Sequence, residues 1–341
     1  MASRPDNGKA DKTGTIDPGL FPHRLSFDEE LVSFVPTNAT KLRAASFLDD
    51  RCDFATRPAQ LIAMGDALSA GGRPAEPNRF IFHVSFSGST LLSRLLDHTG
   101  RSLVLREPQS LSDLAARRAR IDQTGGSDPR VDRMLVALPA LLARRWEPNE
   151  AVVIKPSNWV NNLAPAFCSG GQPTLPLFLS MQPRTFLLAV FRGGHERIAF
   201  TARAALHFSQ AGRLNADRVA LALAHTDDQT AQLARLAALA HRMQSELFAT
   251  ARSTGGWSEE HCIDFAELMA DPVTVAAKAA KLLDLDLPAA IIEANAEQWL
   301  GRDAKQPANS YAADARNLED REVEERFGKT IDDALSWMDR L

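Results

Sequence analysis

Arg79 to Asp97 reads RFIFHVSFSGSTLLSRLLD. Its first part, Phe80-Ile81-Phe82-His83-Val84, is a short apolar run rich in aromatic and β-branched residues, the pattern of a buried strand. A loop of mostly small residues follows, Ser85-Phe86-Ser87-Gly88-Ser89-Thr90. Leu91, Leu92, Leu95 and Leu96 then recur at helical spacing. A strand, a tight loop and a helix N-terminus in that order make a seat for an anion, because unsatisfied N–H groups and the positive end of the helix dipole face the loop. Gly88 lets the backbone come close to a phosphate, and Ser87, Ser89 and Thr90 add hydroxyl donors. The plainer alternative is an ordinary strand-to-helix turn.

Outward from this stretch, short apolar runs alternate with helical segments. Ser102-Leu103-Val104-Leu105 and Ala151-Val152-Val153-Ile154 read as the second and third strands, closing on Arg106-Glu107-Pro108 and Lys155-Pro156-Ser157-Asn158. Phe186-Leu187-Leu188-Ala189-Val190-Phe191 reads as the fourth, closing on Arg192-Gly193-Gly194-His195-Glu196-Arg197. His261-Cys262-Ile263-Asp264-Phe265 reads as the last. Between them, 109–147 reads as two helices around Gly125-Gly126-Ser127-Asp128-Pro129, and 217–252 as a long helical region. Asp271-Pro272 starts a capped helix to about Leu285, and 317–341 reads as an amphipathic helix.

This alternation implies a three-layer α/β fold, a mainly parallel central sheet with helices on both faces. Ligands of such sheets bind beyond the carboxyl ends of the strands. Loop 85–90, Arg106-Glu107, Lys155 and the Arg192/Arg197 segment all fall there. Ahead of residues 79–341, which carry this domain, 1–26 reads as a disordered polar tail. Residues 27–78 read as a helical extension, with Leu61, Ile62, Met64 and Leu68 in a stripe that stops at Gly71-Gly72-Arg73-Pro74.

The 341 residues are long enough to bury a sizeable core, and 45% hydrophobic and 24% charged residues are ordinary for a soluble globular protein. A formal net charge of −4 gives no global basic field, so no nucleic-acid partner is expected and cations for an anionic ligand have to be local. Three widely spaced cysteines fit no disulfide framework or metal-ligand pattern. With no apolar leader at the N-terminus and no run of membrane-spanning length, a cytoplasmic protein without a membrane partner or a metal is expected.

The nucleoside-triphosphate spacing G-x-x-x-x-G-K-[ST] would put its first Gly at His83 and its Lys at Ser89. Both are missing. Ser87-Gly88-Ser89-Thr90-Leu91-Leu92 instead resembles the 5′-phosphosulfate loop of the sulfotransferase family, usually a Lys or Arg followed by S-G-T-T, with Phe86 where the basic residue belongs. The chain is similar to a divergent, bacterial-type member of that P-loop-like family. Ile263-Asp264-Phe265-Ala266-Glu267-Leu268-Met269-Ala270-Asp271-Pro272 resembles the stretch written Y-E-D-L-x-x-D-P. Lys155 resembles the Lys of the family's K-T-H segment, with Ser157 in place of its His. Arg192 resembles the first Arg of the 3′-phosphate segment, with Thr201 as the nearest match to its Ser, and Gly301-Arg302 with Lys305 resembles the C-terminal basic loop.

The resemblance implies transfer of a sulfuryl group from PAPS (3′-phosphoadenosine 5′-phosphosulfate) to a hydroxyl or amine acceptor, without a metal. Ser87, Gly88, Ser89 and Thr90 would hold the 5′-phosphosulfate, and Arg192, Thr201 and Arg302 the 3′-phosphate. Lys155 would neutralise developing charge, and Glu107 is the candidate general base. His83 reads as a core histidine, while Leu206, His207 and Phe208 are candidate acceptor-pocket residues. The alternatives are an inactive nucleotide- or anion-binding protein of the same fold, which Phe86 and Ser157 favour, and a P-loop kinase, which lacks its Lys. Acceptor identity and oligomeric state are not legible.

Overall fold

The computed structural model describes residues 16–341 apart from 55–57, 73–75, 170, 211–212, 225–227 and 302–312, and omits the side chains of 213 and 313–317. Among the described residues eight strands make two sheets. The first sheet is antiparallel and three-stranded, β1 (Leu20–Ser26), β2 (Leu31–Pro36) and β3 (Gln60–Ala63), in that order. The second is parallel and five-stranded: β4 (Asn78–His83), β5 (Ser102–Arg106), β6 (Ala151–Lys155), β7 (Thr174–Ser180) and β8 (Cys262–Asp264). Its order is β5-β6-β4-β7-β8, so Arg79–Asp97 begins on the central strand.

Side-chain alternation along the strands divides the core in two. Phe80, Phe82, Leu103, Leu105, Val152, Ile154 and Phe178 face one side. Ile81, Val104, Val153, Leu177 and Leu179 face the other, against Leu92 and Leu95 of the helix Ser89–Leu95 and Ala276, Ala279 and Leu283 near the helix Pro272–Leu282. Both faces of the parallel sheet are therefore covered by helices, and the three-layer α/β architecture expected from the strand–helix alternation is present. Among the described residues no helix is long and apolar enough to cross a membrane.

Three expectations are corrected. Leu20–Ser26, assigned to a disordered tail, is β1, and the expected helical extension carries β2 and β3 beside short helices at Ala39–Ala44 and Met64–Ala70. In β2 buried Val32 and Phe34 alternate with half-buried Leu31 and Ser33, and the apparent helical stripe is split, with Leu61 and Ile62 in β3 and Met64 and Leu68 in the helix Met64–Ala70. The small sheet docks on the helix Gln109–Thr124, whose Ser110 hydroxyl donates to Pro22 O at 2.8 Å and whose Asp113 accepts from Leu25 N at 2.9 Å.

The second correction is the fourth strand of the parallel sheet. Phe186–Phe191 lies inside the helix Pro183–Arg192, and β7 lies upstream. Pro183 occupies the first turn, where a proline favours helix, and the run buries one face with Phe186, Leu187, Ala189, Val190 and Phe191. β7 contains Pro176, a residue unusual inside a sheet. It is tolerated because pairing with β8 begins only at Phe178, and the Pro176 carbonyl on that side meets His261 Nδ1 at 2.7 Å. The third correction is the region 217–252, which contains parts of two helices, Arg213–Leu223 and Gln229–Gly255.

Candidate functional site

The connections after adjacent β4 and β7 leave in opposite directions, toward β5 and β8, and this opens a crevice at the carboxyl edge of the sheet. A cavity of about 1060 Å³ occupies it. Loop 85–90 forms its floor. Phe86 (φ 68°) and Gly88 (φ 77°) both adopt left-handed backbone, the kind of turn from which anion-binding loops are built. At Gly88 a Cβ would also stand 3.0 Å from Leu268 Cδ2, so the position is closed to side chains twice over.

The loop hydroxyls divide. Ser87 is buried, donates to Val84 O at 2.8 Å and belongs to the loop's own scaffold. Gly88, Ser89 and Thr90 line the cavity. His83, at the end of β4, is buried with Nδ1 at 3.0 Å from Val84 O and Nε2 at 3.1 Å from Pro156 O. It is the bonded core histidine expected, with an edge on the cavity.

Lys155 closes β6 with its side chain wholly inside, and its ammonium donates to Glu107 Oε1 at 2.6 Å. Burial pushes Lys155 below the ordinary lysine range, and the Glu107 carboxylate opposes that shift. Glu107, just past β5, holds φ 56°, and Arg51 Nη2 stands 3.9 Å from its Oε2. The two residues singled out for chemistry are thus in contact and both border the cavity. Arg106 turns away from it, buried against Asp97 at 2.8 Å.

Arg192 lines the cavity from the last turn of its helix and is held by Asp320, with Glu319 at 3.7 Å. Thr201 does not join it: its buried hydroxyl donates to Arg197 O at 2.8 Å within the helix Gly194–Ser209. Arg302 and Lys305 lie outside the described residues. None of Leu206, His207 and Phe208 lines the cavity; His207 Nε2 meets Trp159 O at 2.9 Å and Phe208 is buried in the core.

Sequence reasoning passed over Arg51, Trp159, Phe200, Arg203 and Trp299, all cavity-lining. Arg197, Phe200 and Arg203 are spaced three and three apart, a helical face that the residue spacing already carried. Trp299 has Arg94 over its ring at 4.5 Å; burial, then Arg106, pushes that guanidinium down to about 10. Among the described residues five cations line the cavity, Arg51, Lys155, Arg192, Arg197 and Arg203, against the carboxylates Asp49, Glu107 and Glu196. The local balance is positive in a chain whose net charge is −4. Such a site can hold a multiply charged anion beside an aromatic or apolar group. No family model matches this chain, and no curated protein matches it.

Proposed function

We propose that the chain is a sulfotransferase that moves a sulfuryl group from PAPS to a hydroxyl or amine acceptor. One observation carries the reading: a loop with two left-handed residues, on the central strand, opens into a net-positive cavity of about 1060 Å³ in an acidic chain. That volume is at the upper end of common ligand sites and suits a nucleotide beside a second substrate. The sequence resemblance of loop 87–92 and of residues 263–272 supports the same reading.

In this mechanism Gly88, Ser89 and Thr90 hold the 5′-phosphosulfate, and Arg192 takes the 3′-phosphate by its planar fork. Glu107 accepts the proton of the acceptor hydroxyl or amine as the acceptor–sulfur bond forms. The bond from sulfur to its bridging oxygen breaks, and that oxygen leaves with the electron pair on the 5′-phosphate. Protonation of Glu107 removes the charge that balances Lys155 at 2.6 Å, so the ammonium gains effect as the leaving oxygen becomes anionic. Loose in-line transfer of this kind depends on positioning and cations.

The second reading, an anion-binding protein without transfer, is favoured by the same ion pair, which satisfies Lys155 before any ligand enters. Titration calorimetry with 3′-phosphoadenosine 5′-phosphate, with ADP and ATP·Mg²⁺ as comparators, followed by transfer of labelled sulfate from PAPS to hydroxyl and amine acceptors, separates the possibilities. Preferential binding of the 3′-phosphorylated nucleotide with transfer supports the enzyme, and binding without transfer to any acceptor supports the second reading. Tighter, Mg²⁺-dependent ATP binding overturns both in favour of a kinase.

A further inference from the structure

Loop 85–90 contains no basic residue of its own. We infer that Arg197, folded back across Gly193 onto the ring of Phe86, supplies the loop's cation from a different element. The inference rests on the anion-binding reading of the cavity proposed above.

Three features put the guanidinium there. The helix Pro183–Arg192 ends at Gly193 and a new helix starts at Gly194, whose left-handed φ of 64° breaks the helix between them. Arg197 lies in the first turn of that new helix, and its Nη1 donates to Ala189 O at 3.1 Å near the end of the old one. Its Cζ then stands 5.1 Å from the Phe86 ring centroid, a cation–π contact. Phe86 is steadied from another side by Phe186, 6.1 Å away between centroids.

The path depends on a missing side chain. A Cβ built on Gly193 would lie 1.8 Å from Arg197 Cδ and 2.3 Å from its Nε. Gly193 has φ −80°, which an alanine adopts easily, so the slot explains this glycine where backbone freedom does not. Arg197, Phe86, Gly88, Ser89 and Thr90 line the same cavity. An aromatic residue in the loop thus acts as a platform, and the charge arrives through space where a Lys or Arg would have arrived through sequence. A guanidinium so oriented donates to a terminal phosphate or sulfuryl oxygen while its face rests on the ring.

The test is calorimetric titration of the full chain with 3′-phosphoadenosine 5′-phosphate and, separately, with inorganic pyrophosphate. Arg197→Ala is expected to weaken binding about 10- to 100-fold, the range for losing hydrogen bonds to a charged group. Gly193→Ala, which keeps the arginine but fills its slot, is expected to do the same. Arg197→Lys should stay within a few-fold of wild type, and Phe86→Lys in the Arg197→Ala background should recover binding. Circular dichroism and melting identify the folded variants, and Arg197→Gln serves should the alanine variant not fold. Unchanged affinity in a folded Arg197→Ala or Arg197→Gln overturns the inference and leaves the anion site standing. A wild type that binds neither probe overturns the anion-site reading and the inference together.

Discussion

Lys155 and Glu107 hold each other twice. The ammonium donates to Glu107 Oε1 at 2.6 Å, and the Glu107 backbone N–H donates to Lys155 O at 2.7 Å. The backbone bond continues the β5–β6 ladder by one residue past the strand end, and the side-chain bond lies where the ladder opens into the cavity. Glu107 has a left-handed φ of 56°, a conformation that costs a non-glycine residue on the order of 1 kcal/mol or more. The buried lysine above it is what that strain secures.

Removing Glu107 leaves the buried Lys155 ammonium without its carboxylate, whereas removing Lys155 leaves a half-buried Glu107 that still has Arg51 at 3.9 Å. Glu107→Gln is expected to lower unfolding free energy by about 3–5 kcal/mol, and Lys155→Met by less. The double variant should be less destabilised than the sum of the two, because both charges then leave together. Denaturant unfolding of the four proteins measures the coupling, and strictly additive losses would show that the pair is not energetically linked.

Gly88 is constrained by conformation and by contact. Gly88→Ala has to hold φ 77° and bring a methyl to 3.0 Å from Leu268 Cδ2. A loss of about 1–3 kcal/mol is expected from the left-handed conformation and the forced repacking. Binding of 3′-phosphoadenosine 5′-phosphate should fall with it, because the loop N–H groups shift. Thermal melting and titration check both parts; full stability with unchanged binding would mean that the loop relaxes freely.

Arg106, at the carboxyl end of β5, belongs to a buried ionic network. Asp97 accepts from Arg106 Nη1 at 2.8 Å and from Arg43 Nε at 2.9 Å, and Arg43 also reaches Glu150 at 2.9 Å. Arg106 and Glu150 are fully buried and Asp97 nearly so. The network ties the helix Ala39–Ala44 to the edge of the parallel sheet. Asp97→Ala leaves the buried Arg106 without a carboxylate, while Arg43 keeps Glu150, and is expected to cost about 3–5 kcal/mol. Urea unfolding provides the measurement, and a loss under 1 kcal/mol would mean that water replaces the carboxylate.

How far the sequence carried differs between fold and site. Alternation of short apolar runs with helical stretches was enough for the layered sheet, and the Ser87–Leu92 pattern located the loop, whose strand the structure puts at the centre of the sheet. Phe186–Phe191 misled because a short apolar run fits a buried strand or a buried helix face equally, and Pro183 was the arbiter. β1 and β2 were hidden by polar residues on their exposed face and by charged neighbours such as Arg24 and Glu30. In the site, Lys155 and Glu107 were legible because each stands at the carboxyl end of a strand. Arg51, Trp159 and Trp299 reach the cavity through long-range packing that no local spacing records. Thr201 failed for a local reason: its hydroxyl is satisfied by the carbonyl four residues earlier in its own helix.

The cysteines carry a chemical prediction. Burial pushes the Cys168 thiol up to about 12, and burial also raises the half-buried Cys52 and Cys262. Thiolate is the reactive form, so all three should react slowly with a disulfide reagent in the native protein at pH 8, Cys168 slowest. Denaturation should release three fast thiols. A Cys168 labelled at the rate of a free thiol without denaturant would show that its helix opens locally.

Asp128 gives the acid dependence. It caps the helix Pro129–Leu142 through Arg130 N at 3.1 Å and pairs with Arg130 and Arg117, each at 2.9 Å. The side-chain bond from Arg130 leads in holding its carboxyl well below the usual carboxylate range, against the pull of desolvation. A native value below the unfolded one means that this stabilisation is present above the unfolded value, near pH 4, and is lost as pH falls through the native value. Asp128→Asn preserves the cap and removes the charge, because asparagine caps about as well as aspartate. The stability gap between wild type and Asp128→Asn should therefore be constant from neutral pH to about pH 4–5 and narrow below it. Urea unfolding across that range tests the assignment, and a gap that stays constant down to pH 2 would place the acid response on other carboxylates.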